Sequence, residues 1–186
     1  MDLGALLESS GAILKGHFVL TSGRHSEVYF EKFRVLEKPQ VLSALCAQIA
    51  EAFKDRDVDY VVGPTTGGII VAFEVARQLG VDAIYVESES GQKTLRRGAT
   101  IPEGSRVLLV DDVLTTGLSL REVESLVTNA GARVVGAACL IDRSEREVGL
   151  SVPVFGAYRV EAKSFPPEDI PEWLAAIPTT KPGTRK

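Results

Sequence analysis

Cysteine is nearly absent: two in 186 residues. Cys46 and Cys139 each lie in an apolar run, ALCAQIA and VVGAACLID, so both are expected to be buried, reduced thiols. Without clustered histidines they make no zinc site. Long hydrophobic runs are missing too. No apolar stretch approaches the roughly 20 residues of a membrane span, and Met1-Asp2-Leu3-Gly4 lacks the basic segment and apolar core of a secretory signal. The expected compartment is the cytoplasm, with no membrane partner. Nor is positive charge in excess. Lys and Arg number 21 against 25 Asp and Glu, a net charge of −4. That gives no global support for a nucleic acid or another polyanion as partner. A small phosphorylated ligand needs only a local basic cluster.

What is present suits one globular domain. Apolar residues make up 45% and charged residues 25%, an ordinary balance for a packed core. Residues 2–9 fit a short amphipathic helix, and 17–20 and 28–33 fit short strands around the turn Thr21-Ser22-Gly23-Arg24. Residues 38–54 place Val41, Leu42, Leu45, Ile49, Ala50 and Phe53 at helical spacing. Short apolar strands then alternate with helices: strand 59–63, helix 68–79, strand 83–86, strand 106–110, helix 119–130, strand 133–141. Strands apolar on both faces that alternate with helices imply an α/β fold with a parallel sheet covered on both sides. From 153 onward the chain is proline-rich. One strand and a short helix near 167–176 are expected there, with a disordered end at 181–186.

In such a sheet, ligands bind beyond the carboxyl ends of the strands. Three loops at that edge stand out. In Val110-Asp111-Asp112-Val113-Leu114-Thr115-Thr116-Gly117-Leu118-Ser119, an apolar strand runs into two carboxylates, a Thr/Gly turn and a helix start. Free amides at a helix N-terminus bind phosphate. Thr115, Thr116 and Ser119 add hydroxyls, and Gly117 allows close approach. Carboxylates do not bind that phosphate; they suit ribose hydroxyls or a Mg²⁺ held beside phosphates. An ordinary helix cap explains one of these residues, not the set. A receiver domain also pairs aspartates at a strand end, but after its first strand. The second loop, Gly63-Pro64-Thr65-Thr66-Gly67-Gly68, offers amides and hydroxyls to an anion. It lacks the lysine of a Walker loop and the spacing of a dinucleotide fingerprint. The third, residues 87–104, holds Lys93, Arg96 and Arg97 among few apolar residues. It reads as a lid or as a solvated hairpin.

Residues 107–119 resemble the phosphoribosyl pyrophosphate (PRPP) motif of type I phosphoribosyltransferases: an apolar strand, two acidic residues, then a Thr/Gly turn. The resemblance covers most of the chain and narrows to the orotate phosphoribosyltransferase family. Phe18-Val19-Leu20-Thr21-Ser22-Gly23-Arg24-His25-Ser26 resembles its N-terminal segment, and Ile141-Asp142-Arg143-Ser144-Glu145-Arg146 its Asp-Arg segment. The ending Lys-Pro-Gly-Thr-Arg resembles one branch of it.

The resemblance implies one phosphoribosyltransferase domain over 1–186, with a small hood contributed by 1–36 and 150–186. It implies Mg²⁺ carried mainly by PRPP, with no metal ligand assigned directly, and a homodimer whose lid covers the neighbour's site. Asp111 and Asp112 match residues that take the ribose hydroxyls, and the turn from Thr115 to Ser119 matches the 5′-phosphate cradle. Val113, Leu114, Thr116, Gly117 and Leu118 complete the PRPP segment. Thr65, Thr66 and Gly67 fall in the pyrophosphate loop. Thr115 and Arg143 match orotate contacts, and a guanidinium pairs well with the carboxylate of orotate. Tyr29 and Phe30 match the segment along the orotate ring, with plain strand packing the alternative. Lys93 corresponds to the catalytic lid lysine, beside Arg96 and Arg97. Three positions depart from the family: Thr21 and the Thr65-Thr66-Gly67 turn each stand where it often has a lysine, and Glu87-Ser88 stands where its lid opens with Arg-Lys. The expected activity is transfer of the phosphoribosyl group from PRPP to orotate. The rivals are transfer to another base and a non-catalytic PRPP-sensing protein.

Overall fold

The computed structural model describes residues 2–20, 22–89, 91–160 and 163–181. The turn residue Thr21 and the ending 182–186 lie outside the described residues. In chain order the elements are α1 (Leu3–Ser9), β1 (Ile13–Val19), β2 (His25–Phe30), α2 (Phe33–Leu36), α3 (Pro39–Phe53), β3 (Tyr60–Pro64), α4 (Gly67–Leu79), β4 (Asp82–Glu89) and β5 (Gln92–Thr94). There follow β6 (Arg106–Leu114), α5 (Leu118–Asn129), β7 (Arg133–Asp142), β8 (Val154–Arg159), β9 (Ser164–Phe165), α6 (Glu172–Ala175) and β10 (Thr179–Thr180).

The chain divides into two compact units. One holds the segments up to Lys38 and from Val160; the other runs from Pro39 to Arg159. The second is built on a six-stranded sheet in the order β5-β4-β3-β6-β7-β8. All neighbours in it run parallel except β4 and β5. This is the expected α/β architecture. Its inner strands β3, β6 and β7 are buried because side chains alternate between two covered faces. On β6, Val107 and Leu109 join a core cluster with Leu120, Val123 and Val127 of α5, and Leu108 and Val110, equally buried, alternate onto the other face. There α3 and α4 pack on each other and on the sheet. On that side the Phe53 ring fills the space that a side chain at Gly136 of β7 would need.

Both cysteines are free and fully buried. Burial pushes the Cys46 thiol up to about 12 and the Cys139 thiol up as well. Neither is a thiolate at neutral pH, so neither is a nucleophile.

The first unit is a four-stranded sheet, β10-β1-β2-β9. β1 and β2 form an antiparallel pair. The late strands β9 and β10 join its two edges, antiparallel to β2 and parallel to β1. Sequence foresaw one late strand and got more order than that. β8 falls in the six-stranded sheet because it pairs along β7 from Ala137 to Asp142, so that unit runs beyond residue 150. Two-residue strands carry no periodicity and are visible only through the partners they pair with. No described helix is long and apolar enough to cross a membrane.

Candidate active site

β6 is longer than its apolar run. Parallel pairing with β7 continues through Asp111↔Cys139, Val113↔Ile141 and Leu114↔Asp142. Sequence ended this strand at residue 110, where the hydrophobic signal stops; the ladder hydrogen bonds do not stop there. Both aspartates therefore sit on extended backbone, and successive side chains on a strand point to opposite faces.

That alternation gives them different surroundings. Asp111 lines a cavity of about 280 Å³ together with residues 113–120 and Glu122. Its Oδ1 accepts the Asp112 N–H at 2.8 Å. Asp112 is only 5% exposed, and its Oδ1 accepts the Val113 N–H at 2.6 Å. Its other oxygen lies so close to Gly67 that a methyl group on Gly67 would overlap it. The carboxylate of β6 thus rests against the loop after β3, joining two of the three loops singled out from sequence. The peptide between Thr65 and Thr66 in that loop is cis.

The turn after β6 ends at Gly117, which caps α5 with φ +73°. An L side chain is disfavoured there, and a Cβ would also lie 2.5 Å from Val148. The hydroxyl of Thr116 accepts the Leu118 N–H at 3.4 Å. Thr115, Thr116, Gly117, Leu118 and Ser119 all line the cavity, with the amide-bearing end of the 12-residue α5 beside it. The partial positive charge at such a helix end favours an anion.

Arg143 follows β7 directly. Its N–H donates to the Leu114 carbonyl at 2.9 Å, which places it against the end of β6. Asp142 folds the chain there: its Oδ1 accepts both the N–H and the hydroxyl of Ser144, and its Oδ2 pairs with Arg159 at 3.3 Å.

The lid segment is a hairpin. Glu87 pairs with Thr94, Ser88 with Lys93 and Glu89 with Gln92. Lys93 Nζ donates to Ser88 Oγ at 2.9 Å, while Arg96 and Arg97 turn to Glu87. Tyr29 and Phe30 lie in the other compact unit. Tyr29 packs against Phe18 with ring centroids 5.7 Å apart, and Phe30 is 5% exposed.

One residue escaped the sequence reading. Arg121, on the first turns of α5, donates from one Nη1 to the carbonyls of Thr116 and Val148. It ties the cradle turn to the loop that follows Arg143. Nothing in sequence marked it, since an arginine on an amphipathic helix reads as a solvated face.

A strand-end carboxylate pair and a helix N-terminus thus meet at one edge of the sheet, with the loop after β3 resting against Asp112. The family model described as the phosphoribosyl transferase domain matches residues 34–166, and the chain belongs to that family. Within it, the full-length relatives are orotate phosphoribosyltransferases. The enzyme of that name from Pelotomaculum thermopropionicum is 46% identical, covering 100% of this chain and 97% of its own. "Orotate phosphoribosyltransferase 2" of Mesorhizobium japonicum is 45% identical, covering 97% and 95%. Among solved structures, orotate phosphoribosyltransferase from Aeropyrum pernix is 31% identical with a TM-score of 0.72, covering 86% of this chain and 94% of that one.

Proposed function

We infer that the chain is an orotate phosphoribosyltransferase: it transfers the 5-phosphoribosyl group from PRPP to orotate, giving orotidine 5′-monophosphate and pyrophosphate on the route to UMP. The observation that carries the reading is the junction of β6 and β7. There the Arg143 amide is bonded to Leu114, so the residue that offers a guanidinium to the base's carboxylate follows β7 and lies against the end of β6, the strand that leads into the ribose-phosphate cradle. Full-length relatives of that name support it. The family match from 34 to 166 crosses from one compact unit into the other, which supports taking residues 1–186 as one functional domain.

In this reading the turn from Thr115 to Ser119 holds the 5′-phosphate and Asp111 and Asp112 take the ribose hydroxyls. Thr66 and Gly67 offer amides, and Thr65 and Thr66 hydroxyls, to the pyrophosphate; the Thr65 amide itself is bonded to the Val86 carbonyl. Thr115 and Arg143 hold orotate. Breaking the C1–oxygen bond leaves positive charge on the sugar and sends negative charge into the pyrophosphate. Cations at Lys93, Arg96 and Arg97 lower the energy of that departing charge more in the transition state than in the ground state. No covalent nucleophile on the protein is needed. Among the described residues no three His, Cys, Asp or Glu side chains cluster as a metal site. Two carboxylates alone suit an ion whose remaining ligands come from PRPP and water. Mg²⁺, when bound, supplies positive charge to the pyrophosphate oxygens, with Asp111 and Asp112 as the near protein carboxylates.

We also place the enzyme in the cytoplasm and expect it to act as a homodimer. On α4, Ile70 and Phe73 stand 39% and 65% exposed. A pair of large apolar side chains on one helix face supports contact with a second copy.

Incubation with orotate, PRPP and Mg²⁺ tests the function. Loss of orotate with release of pyrophosphate is expected, and no turnover would leave a PRPP-binding regulator. Arg143→Ala tests base choice. It should cost about 2–4 kcal/mol in transition-state binding of orotate and leave any weak use of uracil nearly unchanged. An equal loss with both bases would make Arg143 structural.

A further inference from the structure

The lid hairpin holds its arginines in an arrangement that the reading above does not use. Glu87 is the fixed member, with a side chain 19% exposed on β4. Arg97, 76% exposed, donates its Nε–H to Glu87 Oε1 at 3.2 Å. Arg96 Nη1 lies 3.6 Å from the other Glu87 oxygen and 3.7 Å from Glu89. Arg97 also has φ +57°, an uncommon conformation for a residue with a side chain. The base of the hairpin adjoins the loop after β3: the Thr65 N–H donates to the carbonyl of Val86, the residue before Glu87, at 2.8 Å.

A guanidinium has five N–H donors in a rigid plane. Holding it by Nε leaves the two terminal amino groups side by side, at the spacing of two phosphate oxygens. A lysine ammonium cannot divide its donors in this way. We propose that Glu87 is a positioning residue for the pyrophosphate of PRPP: it grips Arg97 by Nε beside the loop at residues 63–68 and presents both terminal amino groups to the leaving group. The proposal rests on the reading that this site uses PRPP. It also gives Glu87 a purpose where the resemblance leads one to expect a cation: the positive charge sits on the returning arm of the hairpin, with a carboxylate as its anchor.

Simple electrostatics argues for the opposite effect, which makes the proposal testable. A carboxylate near a bound polyanion repels it, so neutralising a bystander would tighten binding. Binding of pyrophosphate with Mg²⁺, measured calorimetrically on the full chain, needs no turnover. It therefore stands or fails separately from orotate transfer. Glu87→Gln should weaken pyrophosphate binding about tenfold and Arg97→Ala about thirtyfold, and the double variant should be no weaker than Arg97→Ala alone. In turnover, Glu87→Gln should lower kcat about tenfold and leave the KM for orotate unchanged, with a parental melting temperature. If Glu87→Gln does not fold, Arg97→Lys keeps the charge and removes the Nε donor, and should match Arg97→Ala. Parental or tighter pyrophosphate binding by Glu87→Gln overturns the proposal. So do additive losses in the double variant, and parental binding by Arg97→Lys.

Discussion

Asp111 and Asp112 are neighbours in sequence and strangers in environment. One fronts an open cavity, the other is buried against the backbone of Gly67. Sequence revealed the pair, and with it the sugar-phosphate chemistry, because two carboxylates between an apolar strand and a Thr/Gly turn have few other uses. It did not reveal their separation, which depends on how far β6 keeps its pairing with β7. Arg121 stayed hidden for a related reason: its acceptors are backbone carbonyls, and those carry no residue identity. Asp111→Asn combined with Asp112→Asn keeps size and removes charge. PRPP affinity should fall by roughly 10²-fold, on the scale of two lost charge-assisted hydrogen bonds. The melting temperature should barely move. Calorimetric titration with PRPP and Mg²⁺ reads the first, a thermal melt the second. Parental affinity would count against the sugar-phosphate assignment.

Among the elements, α3 and α4 are joined by a polar clamp as well as by apolar packing. Glu74 on α4 accepts from Ser43 on α3, from Gln78 and from both Nε and Nη2 of Arg77. The Arg77 guanidinium, helped by Ser43 and Gln78 and opposed by burial, holds the Glu74 carboxyl down at about 2, against an ordinary 4.5. A depressed carboxylate stabilises the fold above its unfolded value and loses that contribution as pH falls toward its folded value. Glu74→Gln should therefore melt below the parent at pH 7, and the gap should close between pH 4.5 and about 2. A gap that stays constant across that range would mean that the clamp acts through shape alone. The helices themselves were plain in the sequence, since α3 repeats its apolar residues at helical spacing. The hairpin of β4 and β5 was legible only as one of two readings of residues 87–104, because polar residues pair through backbone hydrogen bonds that leave no hydrophobic pattern.

At the scale of the whole molecule, the proposed second copy makes the sharpest claim. Phe73→Glu puts a charge on the exposed face of α4, where the parent side chain is 65% exposed. Sedimentation should show the parent as a dimer and the variant as a monomer, with secondary structure unchanged by circular dichroism. A variant that sediments with the parent would move the contact to another face. The alternation of strand and helix made the larger sheet legible from sequence. The smaller sheet was only half legible, because its edges come from short segments some 150 residues away along the chain, β9 and β10.

The continuation of β6 through both aspartates has a consequence for how the site responds to solvent. Backbone amides inside a strand ladder give up their protons to deuterium only when the ladder opens, whereas amides of a turn exchange almost freely. Asp111, Val113 and Leu114 pair with β7, and the Asp112 and Val113 amides are held by the two carboxylates, while Thr115 and Thr116 are exposed beyond them. In deuterated buffer the carboxylate segment should exchange as slowly as Val107 to Val110, before any ligand is added. Saturating PRPP should then slow the turn at residues 115–117 and leave the aspartate segment almost as it was, so that half of the cradle is finished by folding and half by the substrate.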